Sequence, residues 1–225
     1  MQRFCAVIAA WVAATAAAES TCYGTVANGR IEGSVALPPS GANFAALTLV
    51  GEAASRTYVH STVREIVLDA YRQLDVVSPQ KRFVYGDAGW EAGGGVRGHR
   101  THQNGLAIDF MVPVVDASGR SVPLPANPMN RFGYGQEFDA DGRYQNLTID
   151  FDAMGNHLYE LDQAARRKAS GLSLVFVEPS LLPRLFATTH GEYLKQQINF
   201  TRSRGWGRND DHYHVEFAIK CQPLN

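Results

Sequence analysis

Two short stretches at opposite ends of the chain concentrate imidazole and carboxylate side chains. One runs His99-Arg100-Thr101-His102-Gln103-Asn104-Gly105-Leu106-Ala107-Ile108-Asp109, the other Asp210-Asp211-His212-Tyr213-His214, and together they hold four of the seven histidines. Imidazole nitrogen and carboxylate oxygen are donors that zinc takes, and a catalytic zinc needs three protein ligands with a fourth position open. The two stretches together can build one such site. Zinc acidifies a water to a pKa of roughly 7 and polarises a carbonyl, while a neighbouring imidazole moves the proton, a contribution of typically about 100- to 10,000-fold. Amide hydrolysis is the chemistry expected.

The elements around these residues must bring them together. On a strand, residues two apart share a face. A final strand from His212 to Ile219 therefore places His212, His214 and Glu216 on one side and Tyr213, Val215 and Phe217 on the other. Leu106 to Val112 reads as a second strand carrying Asp109 in an apolar run, and Gly105 permits a tight bend between His102 and Asp109. Thr62-Val63-Arg64-Glu65 has capping-box spacing, and Val63, Ile66, Val67, Ala70, Tyr71 and Leu74 recur at helical intervals. A second helix is expected from Asn156 as N-cap to Lys168, with Gly171 as its stop.

Further strands are expected at Lys81 to Tyr85 and Leu172 to Val177, a short helix at Ser180 to Ala187, and helix in the first part of His190 to Arg204. The glycine-rich stretch from Gly86 to Gly95 is loop, without the lysine or following helix of a phosphate cradle. Residues 116–152 read as a long, turn-rich surface insertion, and residues 19–54 as an irregular N-terminal wrap. Lone His157 and His190 read as ordinary packed or surface histidines.

The 225 residues, 45% hydrophobic and 19% charged, suffice for one large core, and a formal net charge of -1 without a basic run offers no case for nucleic acid. Residues 1–18 have the charged start, short apolar run and small-residue end of a secretory signal, too short to span a bilayer. Its removal takes Cys5 and leaves Cys22 and Cys221. In an exported chain these two are expected to pair, the alternative being two unrelated buried thiols.

With its flanks included, the pattern resembles the LAS metallopeptidases, and within them the penicillin-insensitive murein endopeptidases. Gly86-Asp87, Gly93-Gly94-Gly95 and Gly98 through Asp109 are similar to the family's glycine-rich approach and histidine-glycine-leucine-aspartate core. Arg56-Thr57-Tyr58-Val59-His60, Phe176-Val177-Glu178-Pro179 and Asp211-His212-Tyr213-His214-Val215 before Cys221 resemble its other landmarks in the same order. The resemblance implies a single α+β domain over residues 55–225, with a central antiparallel sheet flanked by helices and long loops.

It also implies one zinc ion held by His102, Asp109 and His214. His212 would be the general acid or base, or the electrostatic partner of the tetrahedral intermediate, and His99 an auxiliary histidine that orients substrate or a ligand. The implied partner is peptidoglycan, met in the periplasm or outside the cell, and Arg100, Arg202, Arg204 or Arg208 could pair with stem-peptide carboxylates, the alternative for each being a solvated surface charge. Trp206 could equally line the cleft or serve as packing. Asn209 stands where the family usually has a histidine, which removes an ionisable group from any proton relay there and leaves a hydrogen-bonding role toward substrate, while Ala107 and the 116–152 segment differ from the closest pattern and bear on bond specificity. An endopeptidase cutting D-alanyl-diaminopimelate cross-links, a D,D- or L,D-carboxypeptidase, a diaminopimelate-diaminopimelate endopeptidase and a non-catalytic wall binder all stay open.

Overall fold

The computed structural model describes residues 19–47, 55–168, 171–201 and 210–224. The expected signal therefore lies outside the described residues, as do Arg202, Arg204, Trp206, Arg208 and Asn209. Strands β1 (Thr21–Thr25) and β2 (Asn28–Glu32) form an antiparallel hairpin. Next come β3 (Val35–Ala36), β4 (Phe44–Ala46) and β5 (Tyr58–Val59), of which β3 and β5 pair with each other. The segment expected to be an irregular wrap is thus largely strand where it is described. The hairpin strands β1 and β2 lack a clean apolar alternation, and β3 and β4 are short with partners farther along the chain, so no local pattern announces them.

Helix α1 (Ser61–Val77) buries the six positions that its periodicity singled out. Its N-cap is His60, whose Nδ1 accepts from the Thr62 amide, so the Thr62 capping box is not used. Strands β6 (Phe83–Tyr85) and β7 (Ala107–Met111) follow the helix. The stretch read as a surface insertion then supplies three strands of a second, four-stranded sheet, whose remaining strand directly precedes it. Strands β8 (Val114–Val115), β9 (Ser121–Val122), β10 (Arg143–Tyr144) and β11 (Leu147–Ile149) pair in the order β10-β11-β8-β9.

Helix α2 (Phe151–Lys168) begins five residues before the expected Asn156. The Asp150 carboxylate accepts from the Ala153 amide and its carbonyl from Met154, so Asp150 holds the first turn. Asn156 lies inside the helix and donates to the Ser78 hydroxyl at 3.0 Å. The chain continues through β12 (Leu172–Phe176), α3 (Leu182–Leu185), α4 (Gly191–Gln197) and β13 (His212–Phe217).

The main sheet has the order β12-β13-β7-β6-β4, antiparallel except where β4 runs parallel to β6 at the edge. Mixed helix and sheet in one domain is the α+β architecture expected. Helices α1 and α2 pack on each other and meet the sheet through aromatic rings. Tyr71 stacks on Phe44 at 4.3 Å, and His157 lies between Tyr71, Phe83 and Phe110. Tyr213, Val215 and Phe217 are fully buried. The opposite face of β7 and β13 is left for polar groups.

Cys22 and Cys221 form a disulfide between residues 199 positions apart, joining β1 to the segment after β13. In the chain-entropy picture, closing so long a loop destabilises the unfolded state by about 5 kcal/mol. Backbone bonds from Gln222 to Cys22 and from Gly24 to Gln222 extend the same seam.

His157 is buried, its Nε2 without a hydrogen-bond partner among the described residues and its Nδ1 on the Tyr213 hydroxyl, and burial lowers its pKa to about 3. The unfolded ring titrates near 6.5, so between these values the unfolded chain binds a proton that the folded chain refuses. The stability this neutral ring contributes is present above about pH 6.5 and is lost as pH falls toward 3, at about 1.4 kcal/mol per pH unit. Urea unfolding between pH 6 and 4 should therefore give a steeper fall in stability for the wild-type protein than for His157→Phe. Equal slopes would contradict this.

Candidate metal centre and active site

The pairing of β7 with β13 sets the centre of the site. Their register places His214 opposite Asp109, with Tyr213 opposite Phe110 and His212 opposite Met111. Directly opposed residues project to the same face. The His214 Nδ1 accordingly lies 2.8 Å from Asp109 Oδ1, and His214 Nε2 lies 3.3 Å from Glu216 on its own strand. His212, two residues earlier, brings its Nε2 to 3.9 Å from Asp109 Oδ2.

The loop between β6 and β7 supplies two more imidazoles. His102 Nε2 is 3.3 Å from Asp109 Oδ1, and His99 bridges two carboxylates, with Nδ1 3.5 Å from Asp109 Oδ2 and Nε2 2.9 Å from Asp87 Oδ2. His102 adopts φ 70°, a left-handed conformation uncommon outside glycine. Gly105 makes the following bend, where a Cβ would come within 2.5 Å of Ile31 and 2.9 Å of the His60 nitrogen. The β1-β2 hairpin braces this loop: Gln103 donates to the Val26 carbonyl and Ile31 to that of Ala92. The site loop is tied to the same hairpin that carries Cys22.

Electrostatics around Asp109 favour a cation. Burial alone would raise this carboxyl, but His102 and His212 beside it and hydrogen bonds from His102 and His214 hold it well below the usual carboxylate range. Burial also opposes charge on His214, yet its bonds to Asp109 and Glu216 prevail and push it up to about 9. His212 is raised as well, burial being outweighed by Asp109 and then by Asp211, whose Oδ1 lies 2.6 Å from its Nδ1. His102 goes the other way, lowered by burial. Its Nδ1 is buried without a hydrogen-bond partner among the described residues.

An ionised, buried carboxylate ringed by imidazoles is a donor set for a transition-metal ion. Ligand atoms of His99, His102 and Asp109 lie within 4.8 Å of one another, so these three could hold one. That group takes in His99, where the sequence pointed to His214 as the third ligand. The structure nevertheless gathers all five residues at Asp109, including His212 and His214.

A family model described as penicillin-insensitive murein endopeptidase matches residues 22–224. The chain belongs to that family. Members of a murein endopeptidase family act on peptidoglycan, outside the cytoplasm. No helix among the described residues is long and apolar enough to cross a membrane. No curated protein matches the chain.

Arg100, expected near substrate, is exposed and has no ion pair among the described residues. His190 is not drawn into the site: it stacks on Tyr159 at 3.9 Å. Sequence reading quoted Asp87 and Asp211 within its motifs without assigning them a role, and it missed Tyr134 altogether. Asp87 orients His99 from the glycine-rich loop, where adjacent glycines were the only signal. Tyr134 comes from the insertion and puts its hydroxyl 3.5 Å from Asp109 Oδ2, with its ring 4.9 Å from that of His212. Asp211 holds His212 and in turn accepts from the Gln136 amide. Nothing local in the sequence marks Tyr134 or Gln136.

In protein freed of metal by chelation, Asp211→Asn should lower the titration midpoint of His212, because the neighbouring negative charge favours the protonated ring. Imidazole resonances followed by NMR across pH 5 to 9 would show this. An unmoved midpoint would mean that Asp211 does not set the protonation of His212.

Proposed function

We propose that the protein is a zinc-dependent peptidoglycan endopeptidase that hydrolyses stem-peptide cross-links at D-alanyl-diaminopimelate amide bonds. In this reading residues 1–18 direct export to the periplasm or beyond, and residues 55–225 carry the chemistry, braced by the preceding hairpin. The observation that supports it best is the convergence of His102 and His214 on one oxygen of a buried, ionised Asp109. These three residues would hold the ion, which when bound supplies Lewis acidity toward the scissile carbonyl and acidifies water.

The remaining roles follow from the side chains. His212 Nε2 takes the proton of the attacking water and returns it to the leaving amine as the carbon–nitrogen bond breaks, while Asp211 holds the ring through Nδ1 and favours its protonated form. His99, fixed between Asp87 and Asp109, positions the substrate or a ligand. Asp109 as a single anionic ligand leaves the ion electrophilic. His214 is oriented at its second nitrogen by Glu216.

Purified protein incubated with cross-linked muropeptide dimers should convert them to monomers, identified by mass spectrometry. Chelator should stop the reaction and added zinc restore it. His212→Ala should keep the metal and lose about 100- to 10,000-fold in kcat. Removal of a single terminal alanine would make the protein a carboxypeptidase. Binding to sacculi without cleavage by the zinc-loaded protein would sink the enzyme reading.

A further inference from the structure

Next to the metal cluster lies a pocket of about 70 Å³ between Leu47, Arg56, Asp87, Arg131, Phe132 and Tyr134, lined by polar and apolar groups in similar measure. A single water needs only about 10–15 Å³ of such space, so the pocket admits a larger group. Two of its walls belong to the active site as well. Asp87 holds His99, and the Tyr134 hydroxyl accepts from the Asp87 amide while facing Asp109. A group seated here is one side chain away from the metal cluster.

The pocket has more donors than acceptors. Among the described residues Asp87 is its one carboxylate, and it is shared between Arg56 at 3.2 Å and His99 at 2.9 Å. The Arg56 Nε is buried without a hydrogen-bond partner among the described residues, an arrangement proteins usually avoid. Arg131 has no carboxylate partner among the described residues. Two guanidinium groups against one already engaged carboxylate leave an unmet positive charge, and guanidinium prefers a planar pair of oxygens.

The backbone holds Arg131 in place by an unusual conformation. Arg131 and Phe132 have φ 53° and 57°, consecutive left-handed residues that are not glycine. Asn127 and Asn130 cap each other's backbone just before them, and Asn130 Oδ1 also accepts from the Gly133 amide. Such conformations persist only where surrounding bonds enforce them, and they cluster at ligand sites. Here the enforced turn points to the pocket that Arg131 and Phe132 line.

We propose that this pocket is a subsite for a free carboxylate of the peptide substrate, gripped by Arg131 and Arg56, and that it selects stem peptides by that charge. The proposal deepens the endopeptidase reading and rests on it. It gives the insertion of residues 116–152 a purpose: one stretch of it delivers both Arg131 to the subsite and Tyr134 to the partition between subsite and metal cluster.

The test compares a stem tripeptide ending in diaminopimelate, with its carboxylates free or amidated, by calorimetric titration into the metal-loaded protein. The wild-type protein should bind the free acid at least tenfold more tightly than the amide. Arg131→Gln, which keeps the same backbone demand at an exposed position, should bring that ratio close to one, and Arg131→Lys should restore part of it. A ratio of one in the wild-type protein, or the same ratio in wild type and Arg131→Gln, overturns the proposal. Cross-linked dimers separate it from the reading beneath it. Hydrolysis with unchanged KM in Arg131→Gln removes the subsite and leaves the endopeptidase. Charge-selective binding that Arg131→Gln abolishes, in a protein that cuts no dimer, keeps the subsite and removes the endopeptidase.

Discussion

The antiparallel register of β13 on β7 is the constraint on which the site depends. It places His214 opposite Asp109 and turns Tyr213, Val215 and Phe217 into the helices. A slip of one residue would reverse every side chain, driving His212 and His214 into the core and the aromatic residues into the cleft. Register is strongly specified where one face is so apolar, and here the same packing that stabilises the fold fixes two imidazoles beside a carboxylate. The disulfide and the β1-β2 hairpin then hold the remaining histidines, on the loop before β7, against that pair.

The consequence is a buried carboxylate whose charge must be balanced. An unpaired ion in the interior costs several kcal/mol or more, and Asp109 is nearly inaccessible. Its partners are imidazoles, each able to carry a proton or give it up to a cation. His212 and His214 are held toward the protonated state by Asp109, Asp211 and Glu216, so a metal ion entering the site exchanges for protons and its affinity must rise with pH. The same groups that balance Asp109 become available to hold an ion or to move a proton.

Much of this was legible where the signal is local. The alternation of His212 through Phe217, the helical recurrence from Val63 to Leu74 and the Cys22–Cys221 pair each express a periodicity or a count that a sequence displays directly. The start of α2 was not, because Asn156 and Asp150 are both good caps and the choice falls to Lys81, which pairs with Asp150 from another part of the chain. Two-residue strands within residues 116–152 are too short to alternate. Asp87, Arg131 and Tyr134 matter only through neighbours tens of residues away, so their roles appear only once the loops are folded over β7.

The central claim is that β7 and β13 jointly build the metal site, with His99 outside the ligand set. Metal content by mass spectrometry after dialysis against zinc, for wild type, His214→Ala and His99→Ala, tests it most directly. About one zinc per chain is expected in the wild type and in His99→Ala, with loss of the ion from His214→Ala while its circular dichroism stays that of the folded protein. Zinc retained by folded His214→Ala and lost from His99→Ala would contradict it, placing the ion on the loop before β7 instead of across the strand pair.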